Sequence, residues 1–391
     1  MSLLELRQIR ATSPTLAETM RACLLRAGLS RITGSSNFVL GNPKAWLGTA
    51  YHEVLEKIVG VALGHETFEA AVEQLWKQAI ATLQQRADAH PLDRRFGAAI
   101  TWPGYYVARA SVALRAGGLS TGPPTTASNA KQTSGEGLSG SIREQEFTAC
   151  DGKLLGRPDV IRADEVVDYK SGAIVEYDEG TQSDVVKAAY IRQLRIYGYL
   201  VKEKLGWWPL RGLLLPLAGA GIEVALDPLE CAREAIEAVA LLDTYNGKVS
   251  AGAASEELAS PSPQSCRWCP YKILCPAFWQ TALPEWSGHG AAVEGVLVDA
   301  PSAIHVGAAR AIALDIQAGS EERRRAQIAP LNTATHPSVI NLAAGDRVRL
   351  VGLRARRDGV LVPGERTVMC RVDEVPIVTT DWQSQDVPRG A

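Results

Sequence analysis

The sequence predicts a mixed α/β protein with a helical amino-terminal part and a small carboxyl-terminal β-barrel. Apolar side chains recur at helical spacing over residues 13–29, 46–63 and 67–87. Strand-like and helical runs alternate between residues 141 and 246, whereas the runs after Pro284 are Val-rich and separated by Gly, Pro and Asn. We therefore expect two units, residues 1–285 and residues 286–391.

Composition excludes several classes of protein. The 391 residues leave room for two or three domains, and 46% hydrophobic with 21% charged residues is typical of folded globular chains. The formal net charge of −2 offers no whole-molecule attraction for a polyanion, so a nucleic-acid surface must be local. No run approaches the ~20 apolar residues of a membrane span, and no signal-peptide core is present. We expect a soluble, cytoplasmic protein without membrane contact.

The helical part is predicted to begin with Ser13 as N-cap and Pro14 in the first turn, where its missing N–H costs nothing. Cys23 falls within this first helix and His52 within the second. Residues 117–140 are so rich in Gly, Ser, Thr and Pro that they cannot bury much surface. We interpret them as a flexible loop.

Acidic residues lie at the ends of two predicted strands. The strand-like runs are residues 141–149, 153–163 and 166–170, followed by a helix over 188–203, a buried strand over 210–218 and a helix over 228–246. Asp168 and Lys170 share one face because strand side chains alternate, and Asp159 converges on that face if the strands form a hairpin. Paired carboxylates suit Mg²⁺ or Mn²⁺, and the lysine suits an attacking water or a phosphate.

This pattern resembles the PD-(D/E)XK nucleases, in the RecB/AddB/exonuclease V-like branch, over residues 13–279. The matching elements are Pro158-Asp159, Asp168-Tyr169-Lys170, the G-x-x-x-H pattern of Gly48 to His52, the Q-x-x-x-Y pattern of Gln193 to Tyr197, and Glu144 ahead of the first aspartate. The resemblance implies a restriction-endonuclease-like core, in which helices flank a mixed central sheet.

The resemblance also assigns roles to these residues. It makes His52, Asp159, Asp168 and the Tyr169 carbonyl the metal ligands, and Lys170 a catalytic residue. Gln193 and Tyr197, four apart on one helix face, are implied to hold DNA or orient Lys170. Glu144 is a further candidate, with Glu146 as its alternative. The plainer interpretations are that His52 is an ordinary surface or core histidine and that Gln193 and Tyr197 form a helix–sheet contact.

The seven cysteines require an explanation of their own. Cys266, Cys269 and Cys275 form C-x2-C-x5-C, a spacing that lets a loop surround one soft metal centre. The resemblance implies that Cys23 joins them in a structural [4Fe–4S] cluster. Zinc remains the alternative, because four thiolates also suit it. Cys150, Cys231 and Cys370 are then spare thiols in a reducing compartment.

The carboxyl-terminal unit contains GDRVRLVG, a turn that opens a Val-alternating strand and resembles the oligonucleotide/oligosaccharide-binding (OB) barrel. We expect an OB-like barrel ending in a flexible tail. Basic clusters and flat aromatic side chains are candidates for holding single-stranded DNA, although such clusters are often only solvated faces. They are Arg94-Arg95, Arg323 to Arg325, Arg347 to Arg357, Trp207-Trp208 and Trp268.

Together these features predict a metal-dependent DNA exonuclease that acts on single-stranded ends in repair, recombination or defence. The chain has no G-x-x-x-x-G-K-[ST] motif, so it encodes no ATP-driven unwinding. A helicase or repair complex is a candidate protein partner. Two alternatives come from other classes of protein: a catalytically silent DNA-binding scaffold subunit, and a zinc-stabilised adaptor.

Overall fold

Helices dominate the first 120 residues of the computed structural model, which describes residues 3–58, 67–120, 141–162, 164–216, 219–304 and 308–380. The elements of this part are β1 (Leu3–Glu5), α1 (Pro14–Ala22), α2 (Leu24–Leu29), α3 (Pro43–Ile58), α4 (Phe68–Ala89) and α5 (Tyr105–Ser120). Residues 117–120 of the predicted loop belong to α5. The rest of that loop, residues 59–63 of the second predicted helix, and the carboxyl-terminal tail from 381 lie outside the described residues.

The single helix predicted over residues 13–29 is in fact two helices. Ser13 caps α1 by accepting a hydrogen bond from the Leu16 N–H, as predicted. Cys23 ends α1 and precedes α2 in an extended conformation, with φ −171° and ψ 119°. The apolar spacing does not reveal the break, because Met20 before it and Leu25 after it are buried in the same cluster.

A five-stranded mixed sheet forms the centre of the first unit. Its region contains β2 (Ile142–Arg143), β3 (Phe147–Ala149), β4 (Leu154–Gly156), β5 (Val160–Ile161), β6 (Glu165–Lys170), β7 (Val175–Asp178), β8 (Ser183–Val186), α6 (Ala188–Leu205), β9 (Arg211–Pro216), β10 (Ile222–Ala225) and α7 (Pro228–Ser250). The strand order is β10-β9-β6-β5-β2, and only β6 and β9 are parallel, which α6 makes possible by crossing over between them. The predicted meander is therefore interrupted, since β3 and β4 pair with each other in a separate hairpin.

Helices cover both faces of this sheet. Val167 and Tyr169 of β6 pack among the apolar side chains of α3, α4 and α5. Val166, one position away, points to the other face and packs with α6 and α7. The predicted mixed sheet between helical layers is confirmed, and β6 is buried at its centre.

A segment that contains three cysteines, residues 255–281, and a barrel complete the described chain; we call the first the cysteine segment. The elements are α8 (Ser255–Leu258), α9 (Pro263–Arg267), α10 (Pro276–Thr281), β11 (Ala291–Leu297), β12 (Ser302–Ala303), β13 (Ala309–Gly319), β14 (Arg325–Asn332), β15 (Arg347–Ala355), β16 (Leu361–Arg371) and β17 (Ile377–Thr379). Strands β11-β15-β16-β14-β13 form a ring that the β11–β13 pairing closes, with β12 added to β13. The predicted small barrel is confirmed, and its closure removes free strand edges from the ring.

The two ends of the described chain meet. Strand β1 pairs in parallel with β17, with Leu3 opposite Ile377. One apolar cluster contains Leu25 of α2, Phe278 of α10 and Val368 of β16. The cysteine segment therefore packs against both the first helices and the barrel. Within the described ranges, every helix is too short or too polar to span a bilayer.

Candidate active site and cysteine cluster

Three candidate metal ligands lie close together beside strands β5 and β6. His52 on α3, Glu144 after β2 and Asp159 before β5 each offer one ligand atom, and these atoms lie within 4.8 Å of one another. His52 Nδ1 is 3.8 Å from Asp159 Oδ1. The other Asp159 oxygen accepts the backbone N–H of Tyr169 at 2.5 Å, which fixes the carboxylate against the end of β6.

Glu144 owes its position to an unusual backbone. Its φ of 48° lies in the left-handed region, which non-glycine residues seldom occupy. Its N–H donates to the Asp159 carbonyl at 3.1 Å, and Arg157 pairs with its carboxylate at 3.0 Å. The turn thereby directs Glu144, rather than the exposed Glu146, toward Asp159.

Lys170 is held at the same edge by contacts to several groups. Its ammonium lies 2.5 Å from Asp168 Oδ2, donates to Gln193 Oε1 at 2.6 Å, and sits 4.4 Å from the centre of the Tyr190 ring. The Gln193 amide nitrogen in turn donates to Asp168 at 3.2 Å and to the Tyr197 hydroxyl at 3.0 Å. Tyr190 is not among the residues predicted from the sequence, although its place three residues before Gln193 on α6 puts both on one helix face.

The structure thus separates the expected residues into two adjoining sets. His52 and Asp159 lie with Glu144, whereas Asp168 is engaged by Lys170 and Gln193. Tyr197 is buried behind Gln193 and packs near Gly156. Tyr169 turns its ring into the α3–α5 core, so that its backbone alone faces Asp159.

The pKa values of the acidic groups at the site are raised, because the carboxylates are buried and lie close to one another. Burial and the nearby Asp159 raise the pKa of Glu144 to about 7. Burial also raises the pKa of Asp159 and of Asp168, against the opposing effect of Lys170. The pKa of His52 is lowered by burial, which favours the neutral imidazole that binds metals. This donor set of two carboxylates and a neutral imidazole fits a divalent cation, which would offset the repulsion.

Gly48 explains how α3 comes so close to the site. A Cβ atom at Gly48 would lie 3.0 Å from Ser171 Cβ, directly after Lys170. The helix therefore touches the end of β6 at the one position that has no side chain, and His52, one turn later, is brought to Asp159. The G-x-x-x-H spacing has a packing reason as well as a chemical one.

The four candidate cysteines surround one small cavity. Cys23, Cys266, Cys269 and Cys275 all line it, together with the cationic side chains of Arg26 and Lys272. Cys275 caps α10, and its sulfur accepts the Phe278 N–H at 3.4 Å. The break at Cys23 places its thiol at the end of α1 and the start of α2, so the sequence-predicted set is brought together.

The spread of these sulfurs bears on the metal they would hold. In a tetrahedral zinc site with Zn–S bonds of about 2.3 Å, the sulfurs stand about 3.8 Å apart. No three of the four thiols, all of which lie in described segments, approach within 4.8 Å of one another. Burial raises the pKa of Cys269 to about 11 and of Cys275 to about 12, so these two thiols are protonated at neutral pH when no metal is bound. As placed, the four thiols are not gathered around a single tetrahedral ion.

Comparison with known proteins agrees with this geometry. A family model of the PD-(D/E)XK nuclease superfamily matches residues 11–276, which include every residue of the candidate active site and all four candidate cysteines. No curated protein matches the chain. A solved structure titled "Crystal structure of SSO0001" is 16% identical and aligns with 59% of this chain and 96% of that one, with a TM-score of 0.24, too low to compare the folds. The extent of the family match shows that the chain belongs to the PD-(D/E)XK nuclease superfamily.

Proposed function

We propose that this protein is a metal-dependent DNA exonuclease that acts on single-stranded ends. The observation that carries the proposal is the convergence of Asp159, Asp168 and Lys170 at one end of β6, with His52 beside them. Hydrolysis of phosphodiester bonds is the typical activity of this superfamily. The scaffold alternative is less well supported, because the acidic pair and the lysine are all present and mutually positioned.

His52, Asp159 and Glu144, with Asp168 and the Tyr169 carbonyl adjacent, are the residues that would hold Mg²⁺ or Mn²⁺. When bound, such a cation polarises a phosphoryl oxygen and makes water a better nucleophile at neutral pH. Tyr169 contributes its N–H to Asp159 and thereby keeps that carboxylate in place.

Lys170 would stabilise negative charge on the phosphate and orient the attacking water. Its ammonium is restrained by Asp168, Gln193 and Tyr190 before substrate arrives, which is the preorganisation that such stabilisation needs. Gln193 is a positioning residue in this scheme, since it bridges Asp168 and Lys170. Tyr197 supports Gln193 from the buried side.

The direct experiment is digestion of end-labelled single-stranded DNA with Mg²⁺ or Mn²⁺. We expect Asp168→Asn and Lys170→Ala each to reduce the rate by about 100-fold or more, because each removes a charge placed for the reacting phosphate. Asp243→Asn is the matched control: Asp243, on α7, is an exposed carboxylate paired with Lys153, and its loss should leave the rate unchanged. Full activity in Asp168→Asn or Lys170→Ala, with normal circular dichroism, would reject this mechanism.

We further propose that Cys23, Cys266, Cys269 and Cys275 hold a [4Fe–4S] cluster. All four thiols line one shared cavity, which supports a common metal centre. We favour the cluster over zinc because of the resemblance to the RecB-like branch, and the match to the nuclease family weighs against a zinc-stabilised adaptor. The Phe278 N–H and the nearby Arg26 and Lys272 would stabilise thiolate charge there.

The unit boundary, the cellular location and the partners are also proposals. We place the boundary between the nuclease unit and the barrel unit at residues 285 and 286. We propose a reducing, cytoplasmic location, in which Cys150, Cys231 and Cys370 remain free thiols. The substrate is DNA, and a helicase or repair complex is the class of partner that would supply single strands.

A further inference from the structure

The side chain of Arg157 connects the elements that carry the candidate metal ligands. Its Nε–H donates to the backbone carbonyl of Glu144 at 2.6 Å and also lies 3.0 Å from the carboxylate of the same residue. Its Nη2 donates to the carboxylate of Glu56. Glu56 belongs to α3 and follows His52 by one helical turn. One guanidinium therefore joins the turn that presents Glu144 to the helix that presents His52.

The third ligand, Asp159, lies two residues after Arg157 on a stiff piece of chain. Pro158 between them has its φ fixed at about −65°, and it restricts the preceding Arg157 to extended conformations. The carbonyl of Asp159 accepts the Glu144 N–H at 3.1 Å, so the left-handed backbone of Glu144 is held by Asp159 on one side and by Arg157 on the other. A displacement of the guanidinium would therefore move all three candidate ligands.

These ion pairs are too exposed to matter much for the stability of the whole fold. The side chain of Arg157 is 46% exposed, and that of Glu56 is 42% exposed. Ion pairs with such exposure contribute little to the free energy of unfolding, because water screens them. The same contacts can still matter locally, since a metal site depends on outer groups that fix the orientation of its ligands. The effect of Arg157 is therefore expected at the site and not in global stability.

We propose that Arg157 is a positioning residue that sets the affinity of the site for its divalent cation. It keeps the carboxylate and imidazole ligands at binding distance from one another, and this inference rests on the metal site of the proposed function. Two effects of Arg157 on a bound cation have opposite signs. Its positive charge repels the cation, so loss of that charge alone would strengthen metal binding, whereas loss of positioning weakens it. The direction of the change therefore separates the two effects.

The test is direct binding of Mn²⁺ to the full chain without DNA, followed by the electron paramagnetic resonance signal of the free ion. We expect Arg157→Gln to weaken the Mn²⁺ affinity by about 10- to 100-fold, the range for loss of a group that orients metal ligands. Arg157→Lys should weaken it as well, because lysine keeps the charge but has no planar fork to bridge Glu144 and Glu56. The urea midpoint of both variants should stay close to that of the wild type.

Arg211→Gln is the matched control. Arg211 is 41% exposed and also bridges carboxylates, those of Asp164, Glu165 and Glu223, but it pairs with the first residue of β6, at the end opposite Lys170. This control should bind Mn²⁺ with the wild-type affinity. Tighter Mn²⁺ binding by Arg157→Gln together with unchanged binding by Arg157→Lys would show that only the charge matters, and it would overturn the proposal. Wild-type affinity in both variants would overturn it as well.

The wild-type protein separates failure of this inference from failure of the proposed function. If the wild type binds Mn²⁺ and digests DNA but the Arg157 variants bind Mn²⁺ equally well, the role of Arg157 alone is rejected. If the Arg157 variants lose Mn²⁺ affinity but the wild type digests no DNA with any divalent metal, the role of Arg157 stands and the nuclease proposal fails. A wild type that binds no Mn²⁺ would contradict both.

Discussion

At the scale of single residues, the site depends on backbone features that side-chain identity does not reveal. Asp159, Asp168 and Lys170 could be selected from the sequence because strand alternation puts them at one edge. The choice of Glu144 over Glu146 could not be derived in this way. It depends on the left-handed backbone conformation of Glu144, whose N–H donates to the Asp159 carbonyl. Neither feature leaves a pattern in the sequence.

Protonation of the buried His336 should destabilise the fold at low pH. It is 5% exposed, and its pKa is lowered from 6.5 to about 4 by burial and by Arg95, which donates to the Thr367 carbonyl. A base whose folded pKa is lowered stabilises the fold above its unfolded pKa, and this contribution is lost as pH falls below 6.5 toward 4. Between pH 7 and about pH 5 the loss should be about 2 kcal/mol.

Urea unfolding at the two pH values measures this loss. The His336→Asn variant should lose about 2 kcal/mol less than the wild type over the same interval, because it has no imidazole to protonate. Equal losses in the two proteins would show that His336 does not titrate as its burial indicates.

At the scale of elements, the helix–strand contact at Gly48 positions the imidazole ligand. Helix α3 and strand β6 were both predicted from apolar periodicity, and both are present. Their close approach could not be predicted from periodicity, because it depends on the space left by one missing side chain. The β7–β8 hairpin could not be predicted from periodicity either, because its strands have only four residues each and are largely exposed.

Gly48→Ala should therefore impair the site while leaving the fold largely intact. The added methyl pushes α3 from Ser171 and moves His52 from Asp159, so we expect a fall of about 10- to 100-fold in metal-dependent cleavage, in the range found for misplaced metal ligands. Gly247→Ala on α7 is the control, since nothing lies within 4 Å of a Cβ there. It should raise stability by about 0.5–1 kcal/mol and leave cleavage unchanged. Wild-type cleavage by the Gly48→Ala variant would show that the Gly48–Ser171 contact does not position His52.

At the scale of the whole molecule, the cysteine segment joins parts that are distant in sequence. It packs against the first helices and the barrel, and β1 pairs with β17. The sequence predicted the two units and the four cysteines, but not this junction, because strand pairings between the ends of a chain leave no local pattern. A centre held by Cys23 and the later cysteines would close a loop of more than 240 residues, where a cross-link restricts the unfolded chain most.

Cys266→Ala should abolish a broad absorbance near about 400 nm in anaerobically purified protein. It should also lower the free energy of unfolding by about 2–5 kcal/mol, the range for native cross-links that close long loops. Cys150→Ser is the control thiol and should retain the absorbance, because Cys150 contacts Tyr199 and does not line the cysteine cavity. A colourless wild-type protein that contains zinc would contradict the cluster.

We propose that this chain hydrolyses DNA from single-stranded ends with a divalent metal. The most direct measurement compares release of labelled nucleotides from a linear single strand and from the same strand circularised, each with Mg²⁺, Mn²⁺ or chelator. We expect release from the linear strand with metal, none from the circle, and none with chelator. Metal-dependent cutting of the circle would contradict the exonuclease assignment, and no cleavage of either strand with any metal would contradict the nuclease itself.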